Sequence, residues 1–539
     1  MEKNEIIELN IEKLTYGGEG LGRIDGMTVF VPDTVAGDYI KAKIVSVKKN
    51  FANAEITEII MPSEHRIKPF CPLANACGGC QWQHINYEEQ LRAKKQIIEE
   101  CMQKIAGIEV SVKDVLKSDE VKEYRCKVQY PVQQTKISKR FLAGYYRKNT
   151  HDIVNIKFCP IQPSIIDEIA EYLRKKAQEL DLTAYNEKNK KGLIRHFVFR
   201  YSQTNKDLLL TIVVSPPPCP PPQGGGRMVA EGAAPPPPAP NKVDFLPELK
   251  KLCAAVKNEF PAISGVLVNY NTKHSNVILG KETELIEGKD YIEEILEGRT
   301  FHISAESFFQ VNPLTAQKMF LEVRGIVEDK VSGYFSDTVI LSASEESVQH
   351  TKTAIIPNGT DPSALPQDDK KIQHDNFEKP SILDVYAGSG SFSMFLSDLA
   401  SNITAVEESE SSVNDGLENL RLNKIENITF IQGNADEVLK KMTGGEQKPE
   451  NEDEEPIIIE PQAFDIVILD PPRRGCSESV IESIKKLAAK YIIYISCNPS
   501  TLARDVKLLS EDFIPEYIQP VDMFCHTYHV ESILVLTKK

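Results

Sequence analysis

The chain has 539 residues, of which 41% are hydrophobic and 26% charged, and its formal net charge is -15 at pH 7. This length exceeds what one hydrophobic core supports and predicts about three domains. No apolar run reaches the roughly 18 residues that a membrane-spanning helix needs. The charged N-terminus is unlike a signal peptide, so we expect a cytoplasmic protein with no membrane partner. A net negative charge argues against a nucleic-acid partner, but two segments, 332–380 and 446–460, carry -10 of it. The rest of the chain is only mildly acidic, so the objection is weak.

Residues 1–62 contain short stretches that alternate apolar and polar side chains and are separated by glycines. About five short strands with glycine turns predict a small OB-like β-barrel. The pattern resembles the TRAM domain, a module found on RNA-modifying enzymes. A small barrel without any ligand has the same pattern, and the motifs further along the chain are what favour RNA binding.

A cluster of cysteines follows the predicted barrel. Cys71, Cys77 and Cys80 lie in CPLANACGGCQWQH, where two glycines let the backbone wrap closely around a metal. Zinc and cubane iron–sulfur sites both commonly take four ligands, so a fourth thiolate is expected. Cys159 is the best match, and its Cys-Pro pair resembles ferredoxin-type sites, which favours a 4Fe-4S cluster over zinc. The chain has eleven cysteines, and in a cytosolic protein such a number indicates metal binding or catalysis rather than disulfides.

The segment 134–151 is basic and aromatic, and it contains no acid. Basic groups that hold phosphates and aromatic faces that stack on bases are what single-stranded or looped RNA requires. A solvated strand face is the alternative interpretation. The residues concerned are Lys136, Lys139, Arg140, Phe141, Tyr145, Tyr146, Arg147 and Lys148.

Residues 63–300 are predicted to form a central α+β domain that carries the cysteine cluster and binds RNA. Within it, segment 216–240 is rich in proline, glycine and alanine. Such a composition cannot bury a core, so we expect a mobile insertion without a function of its own.

Residues 301–539 alternate strands with helical segments, which predicts a doubly wound parallel sheet. The insertions 332–380 and 443–461 are expected to interrupt this domain without touching a motif. Ligands of such sheets bind beyond the carboxyl ends of the strands. The predicted strands are, in chain order, SILDVYAG, NITAVEE, NITFIQGNA, FDIVILDPP and YIIYISCNP, and each ends in a polar or glycine-rich turn.

Three strand ends carry candidate site residues. A glycine loop follows Asp384, and Glu407 ends the next strand, where a carboxylate can accept hydrogen bonds from a ribose. The loop lacks the full dinucleotide spacing, which favours S-adenosyl-L-methionine over NAD. Cys497 follows an apolar strand and precedes Asn498 and Pro499, so it is a candidate nucleophile, although most free cysteines are simply small buried residues.

These motifs together resemble those of RNA uracil-C5 methyltransferases that carry a TRAM domain and an iron–sulfur cluster, most closely the 23S rRNA members. The resemblance spans nearly the whole chain. One departure is Cys525, which stands where the family usually has proline. The motifs are the four cysteines, SFFQVNP (307–313), LDVYAGSG, DPPRRG, SCNPSTLARD and VDMFCHTYHVES (521–532).

The resemblance implies a role for each matched residue. The methyl donor, S-adenosyl-L-methionine, would contact Gln310, Tyr386, Glu407 and Asp470. Cys497 would be the nucleophile and Glu531 the general base, and the enzyme would act on RNA as a monomer.

The chemistry of uracil requires these residue types. C5 is a poor nucleophile, so a thiolate must first add at C6, and a carboxylate must later remove the C5 proton. The same chemistry on tRNA is the nearest alternative, and the sequence does not exclude it. An amino-methyltransferase would not need the cysteine, and a non-catalytic RNA-binding protein would not need both Cys497 and Glu531.

Overall fold

The computed structural model describes residues 1–215, 246–273, 277–342, 379–447, 457–459, 462–487 and 489–539, with the backbone alone for 333–342, 445–447 and 457–459. The predicted insertion 216–240 lies outside these residues, as do most of 332–380 and much of 443–461. None of the helices in the described part of the chain is long and apolar enough to cross a membrane.

The N-terminal region is a six-stranded sheet with the strand order β1-β5-β6-β4-β3-β2. Its alternating side chains place one face inward, as in β1, where Ile7 and Leu9 are buried and their neighbours exposed. The strands are β1 (Ile6–Asn10), β2 (Lys13–Leu14), β3 (Gly20–Ile24), β4 (Met27–Val31), β5 (Tyr39–Val47) and β6 (Phe51–Met61).

Helix α1 (Tyr87–Cys101) connects this region with the rest of the molecule. The Asn86 side chain caps its first turn by accepting from the Glu89 amide. A π-helical turn, Met102–Ala106, extends the helix to Gly107, which adopts a left-handed conformation. The chain then forms the short strand β7 (Ser111–Val112).

The central region is a seven-stranded sheet of order β10-β9-β8-β11-β12-β13-β14. Only β12 and β13 pair in parallel. Along β12, Leu208 and Leu210 belong to the core formed with the helices α2 (Ser164–Glu179) and α3 (Pro247–Glu259), whereas Leu209 belongs to the core of the C-terminal region. The elements are β8 (Lys127–Gln134), β9 (Phe141–Tyr146), β10 (Ile153–Asn155), α2 (Ser164–Glu179), β11 (Ile194–Tyr201), β12 (Leu208–Val214), α3 (Pro247–Glu259), β13 (Ile263–Tyr270) and β14 (Glu282–Gly288).

A hairpin of β15 (Tyr291–Leu296) and β16 (Arg299–Ser304) comes next, followed by helix α4 (Pro313–Ser342). The hairpin contains residue 300, so the predicted domain boundary falls within a continuous element. Helix α4 continues to Ser342, beyond the predicted start of the insertion at residue 332.

The C-terminal region is built on an eight-stranded sheet of order β19-β18-β17-β22-β23-β25-β24-β7. The five strands β19, β18, β17, β22 and β23 are parallel, as predicted. On the other side of the sheet, β25 is antiparallel to both β23 and β24, an arrangement that the prediction of five parallel strands did not include. Strand β7, from the region assigned to the central domain, completes the edge. The elements are β17 (Ser381–Val385), α5 (Ser391–Leu396), β18 (Asn402–Glu407), α6 (Glu410–Asn423), β19 (Ile428–Gln432), α7 (Ala435–Met442), β20 (Gly445–Gln447), β21 (Ile457–Ile459), β22 (Ile466–Leu469), α8 (Glu478–Lys486), β23 (Tyr491–Ser496), α9 (Pro499–Leu509), β24 (Phe513–Val521) and β25 (Glu531–Lys538).

The order of connection places a crevice at the end of β17. The chain leaves β17 towards β18 on one side and later returns to β22 on the other, and ligands of α/β sheets bind where the order reverses in this way. Tyr386, Glu407, Asp470 and Cys497 lie at the ends of strands that meet at this edge of the sheet.

Candidate active site

The turn after β17 has the backbone geometry of a ligand-binding loop. Tyr386 adopts a left-handed conformation with φ of 67°, which is uncommon for a residue other than glycine. Gly388 and Gly390 also have positive φ, and Gly390 leads into α5. A side chain at Gly390 would meet the Phe430 ring, so the loop can approach the sheet only with glycine at this position.

Glu407 is held in place at the end of β18 by two backbone amides. Its Oε2 accepts from the Gly388 amide at 2.9 Å and its Oε1 from the Ser409 amide at 2.7 Å. The carboxylate thus bridges the glycine loop and the start of α6. Each oxygen keeps a second lone pair, which leaves the group able to accept hydrogen bonds from ribose hydroxyls.

Carboxylates converge beside this loop. Asp470 directly follows β22, and burial together with Glu531, Asp384 and Glu407 raises its pKa well above the ordinary value. Burial also raises the pKa of Asp384 to about 6, although that side chain accepts from the Ser393 hydroxyl at 2.6 Å. An accumulation of negative charge of this kind favours a cationic ligand.

Cys497 lies between β23 and α9. The Asn498 side chain caps the helix by accepting from the Ser500 amide, and Pro499 occupies the first turn. The cysteine is partly exposed. Burial, followed by Glu531 and Asp470, raises the pKa of Cys497 to about 12, whereas Arg473 acts in the opposite direction. The thiol is therefore protonated at neutral pH until a proton acceptor or a positive charge comes close.

Glu531 is brought beside Cys497 by the pairing of β23 with β25. Ser496 pairs with Ser532 across the two antiparallel strands, so the next positions along them are Cys497 and Glu531. Glu531 is 6% exposed. Burial raises its pKa to about 7, against the opposing effect of Arg473 and Lys94. A carboxyl group with this pKa can accept a proton at physiological pH.

A buried ion pair anchors the segment that leads to Glu531. Lys94 on α1 donates to Asp522 at 2.5 Å and to the Phe524 carbonyl at 3.1 Å. Both charged side chains are fully buried, and the Tyr87 hydroxyl also donates to Asp522 at 2.7 Å. Removing one partner of such a pair leaves an uncompensated charge, so this contact fixes the path of the chain into β25.

The two histidines of HTYHVE have different surroundings. His526 is 3.3 Å from the Gln90 amide through Nδ1 and 3.0 Å from the Val121 carbonyl through Nε2. The His529 ring packs against Tyr528 at a tilt of 42°, and its buried Nδ1 has no hydrogen-bond partner among the described residues. Burial lowers the pKa of each to about 4, so both rings are neutral at pH 7.

The N-terminal region contributes Tyr16, a residue that no motif of the sequence indicated. The Tyr16 hydroxyl donates to the Cys497 carbonyl at 3.4 Å, and its ring packs edge-on against Tyr528. The adjacent Gly18 carbonyl accepts from the Trp82 indole at 3.0 Å. Burial, followed by Cys497, raises the pKa of Tyr16 to about 12. The contact between Tyr16 and Cys497 joins residues 481 positions apart, and no local pattern of the sequence indicates it.

Gln310 lies in the loop between β16 and α4, with its side chain half-buried. The carbonyl of the next residue, Val311, accepts from the Cys126 amide at 2.7 Å. This contact ties the loop to the start of the central sheet.

The four predicted metal ligands, Cys71, Cys77, Cys80 and Cys159, line a single small cavity beside Tyr145. Their backbones are held independently of any ligand, as where the Cys159 amide donates to Asp167 at 2.6 Å. Four converging thiols have the donor chemistry of a cluster or zinc site. Among the described residues, however, no three His, Cys, Asp or Glu side chains are already arranged to hold a metal ion.

The basic segment is only partly as predicted. Phe141 is buried, and Tyr145 packs against the core beside the cysteines, so these two rings do not face solvent as base-stacking groups. Ile137, at the tip of the hairpin between β8 and β9, is 98% exposed among exposed lysines. Tyr146 is the aromatic residue of this segment that borders open space.

Comparison with known proteins agrees with this architecture. Residues 370–539 match the family model for tRNA (uracil-5-)-methyltransferase, and residues 2–57 match the TRAM domain. An RNA methyltransferase of Bacillus cereus is 31% identical over 100% of this chain and 98% of its own. One of Listeria innocua is 30% identical over 100% and 99%.

A solved structure shares the fold over the whole chain. The tRNA (uracil-54, C5)-methyltransferase of Pyrococcus abyssi, in complex with S-adenosyl-L-homocysteine, superposes with a TM-score of 0.64 at 22% identity and covers 98% of this chain and 100% of its own. The N-terminal barrel and the methyltransferase sheet predicted from the sequence are thereby confirmed as folds.

Proposed function

Because the chain belongs to the RNA uracil-5-methyltransferase family, we propose that it methylates C5 of a uridine in 23S rRNA through a covalent adduct between Cys497 and C6 of the base. The observation that carries the proposal is the placement of Cys497 and Glu531 at neighbouring positions of two antiparallel strands. A nucleophile and a base on one edge of the sheet are what the two halves of the reaction require.

The reaction begins when the Cys497 thiol releases its proton to solvent. The resulting thiolate adds to C6, and the electron pair of the C5–C6 bond moves into an enolate. C5 then takes the methyl group from the donor sulfonium. Glu531 removes the C5 proton, and the returning electron pair expels the thiolate and restores the double bond. Arg473, which acts on the pKa of both groups, favours the anionic form of each.

S-adenosyl-L-methionine is the proposed methyl donor. Glu407 is oriented for the ribose, and Tyr386 directly follows β17 at the same edge of the sheet. Gln310 is assigned to the donor site by family resemblance. The sulfonium and ammonium groups of the donor would relieve the repulsion among the carboxylates around Asp470. The positive donor fits this site better than an anionic dinucleotide would.

We also propose a 4Fe-4S cluster on Cys71, Cys77, Cys80 and Cys159, supported by the cavity that the four thiols share. When bound, a cluster of this kind would cross-link the cysteine loop to the segment before α2. The bound cluster would also restrain strand β9, because the Gly78 amide of the cysteine loop donates to the Tyr146 carbonyl at 2.9 Å.

Variants of the two reacting groups test the chemistry. Cys497→Ala should abolish both methylation and any covalent RNA complex while RNA binding persists. Glu531→Gln should methylate once, stall before elimination and accumulate an adduct that survives denaturation and disappears in the double variant. Cys101→Ala is the matched control. This partly exposed thiol of α1 lies 3.8 Å from the Ser500 hydroxyl, at the start of helix α9 and close to Cys497 in the sequence.

Two results would contradict the mechanism. Appreciable methylation by Cys497→Ala rules out thiolate addition. Normal turnover by Glu531→Gln means that another group is the base, and His529 would be tested next. The RNA target is assigned separately by mapping 5-methyluridine in rRNA and tRNA from cells with and without the gene. If 5-methyluridine is lost only from tRNA when the gene is absent, the substrate is tRNA and the same chemistry applies to it.

A further inference from the structure

The central region contains a cavity of about 680 Å³ that includes no residue of the catalytic sheet. One wall is the end of β8 with the hairpin turn that follows it. The opposite wall is the segment 183–192 and the first residues of β11. This volume is within the range of small-molecule sites, roughly 300–1,000 Å³.

Positive charge dominates the walls of this cavity. The acids on the walls are Asp152 and Glu187, and Glu187 already accepts from the Tyr146 hydroxyl at 3.5 Å and lies 3.3 Å from His151. Within the described residues, none of the four lysines on the rim pairs with a carboxylate. The cationic groups are Lys136, Lys139, Lys188, Lys191 and Arg195.

A β-bulge turns two consecutive side chains into the cavity. In the pairing of β11 with β12, Ile194 lies opposite Val214 and His196 opposite Val213, so Arg195 is the extra residue. Consecutive residues of a regular strand point to opposite faces. The bulge breaks this alternation, and Arg195 and His196 both line the cavity.

Each of these two lining residues has a buried polar atom without a hydrogen-bond partner in the described part of the chain. His196 is 8% exposed, and its Nδ1 has no partner among the described residues. Arg195 is 7% exposed and lies over the Tyr185 ring, and its Nη1 donates to two carbonyls while its Nε has no partner. Leaving a buried polar atom unpaired costs about 1–3 kcal/mol. A ligand with a hydrogen-bonding edge would satisfy both atoms.

We propose that this cavity binds one unpaired nucleotide of the RNA substrate, other than the uridine that is methylated. The lysines of the rim hold the phosphates, and the base enters far enough to hydrogen-bond with Arg195 and His196. Phosphate alone would remain at the rim and leave the buried nitrogens unpaired. The inference rests on RNA being the substrate, but not on the position of the methylated uridine.

Two sets of variants of the full-length protein test the base and the phosphates separately. His196→Phe keeps a ring in the bulge but removes the nitrogens. We expect its Kd for a substrate RNA fragment and its KM to rise about tenfold, as for the loss of roughly 1.4 kcal/mol, with kcat unchanged. Lys188→Gln with Lys191→Gln should weaken RNA binding and lower the salt dependence of log K by about 0.7 per lysine. Lys175→Gln with Lys251→Gln, on α2 and α3, is the matched control.

The outcomes separate the possible ligands. Unchanged RNA affinity in both sets overturns the proposal. Binding of adenosine or uridine monophosphate that depends on His196, with RNA affinity unchanged, identifies a free-nucleotide site and also overturns it. If His196→Phe fails to fold, the lysine pair and His196→Gln decide the question. RNA binding is measured without turnover, so an error in the proposed methylation chemistry would leave this result intact.

Discussion

Replacing Glu531 by glutamine should stabilise the protein above neutral pH while it stops turnover. The Glu531 side chain is 6% exposed, and its pKa is raised from 4.5 to about 7. A carboxyl group that binds its proton more tightly in the folded state loses stability as the pH rises between the two pKa values. The shift is roughly 2.5 units at 1.36 kcal/mol each, so the ionised carboxylate destabilises the fold by about 3 kcal/mol.

The advantage of Glu531→Gln over the wild type should therefore grow from about pH 4.5 to about pH 7 and then stay constant. For a domain of 150–250 residues, a difference of about 3 kcal/mol corresponds to roughly 6–12 °C in thermal midpoint. Scanning calorimetry of both proteins at pH 5 and pH 8 measures it. Glu426→Gln, at an exposed position between α6 and β19, is the matched control and should show no such trend.

The prediction is refuted if the difference in thermal midpoint between Glu531→Gln and the wild type is the same at pH 5 and pH 8. Such a result would mean that the carboxylate is solvated or paired in the folded protein, and that its raised pKa does not poise it as a base. A variant that is less stable than the wild type at pH 8 would show that the negative charge itself stabilises the site.

Three further predictions concern the surroundings of this site. Arg473→Gln should shift the pH at which activity is half-maximal upward by about one unit, because the guanidinium lowers the pKa of both Cys497 and Glu531. A pH profile of kcat measures this shift, and an unshifted profile contradicts the prediction. Lys94→Met should destabilise the protein by about 3–5 kcal/mol, measured by denaturation, and adding Asp522→Leu should recover part of the loss. Anaerobically purified protein should contain iron, which Cys77→Ser loses and Cys101→Ser retains; stoichiometric zinc without iron would overturn the cluster.

The residue types and their positions along the strands were readable from the sequence. Cys497, Glu407 and Asp470 each end an apolar run, and the structure places all three at the carboxyl edge of the sheet. The five parallel strands were recognised for the same reason. A buried strand and its polar terminus are local features, since they depend on neighbouring residues in the chain.

The partners of these residues depended on the tertiary structure. The antiparallel insertion of β25 beside β23 sets Glu531 next to Cys497, a pairing that no local pattern of the sequence indicates. The contact of Tyr16 with Cys497 spans two domains. In the basic segment, the periodicity did not reveal that Phe141 faces the core.

The bulge at Arg195 shows the physical reason for this division. Apolar periodicity reports which side chains a regular strand would bury, but one extra residue reverses the alternation beyond it. Whether that residue is accommodated depends on pairing with strands far away in the sequence. The sequence by itself determined which residue types stand at the strand ends, and only long-range pairing decided which of these side chains meet.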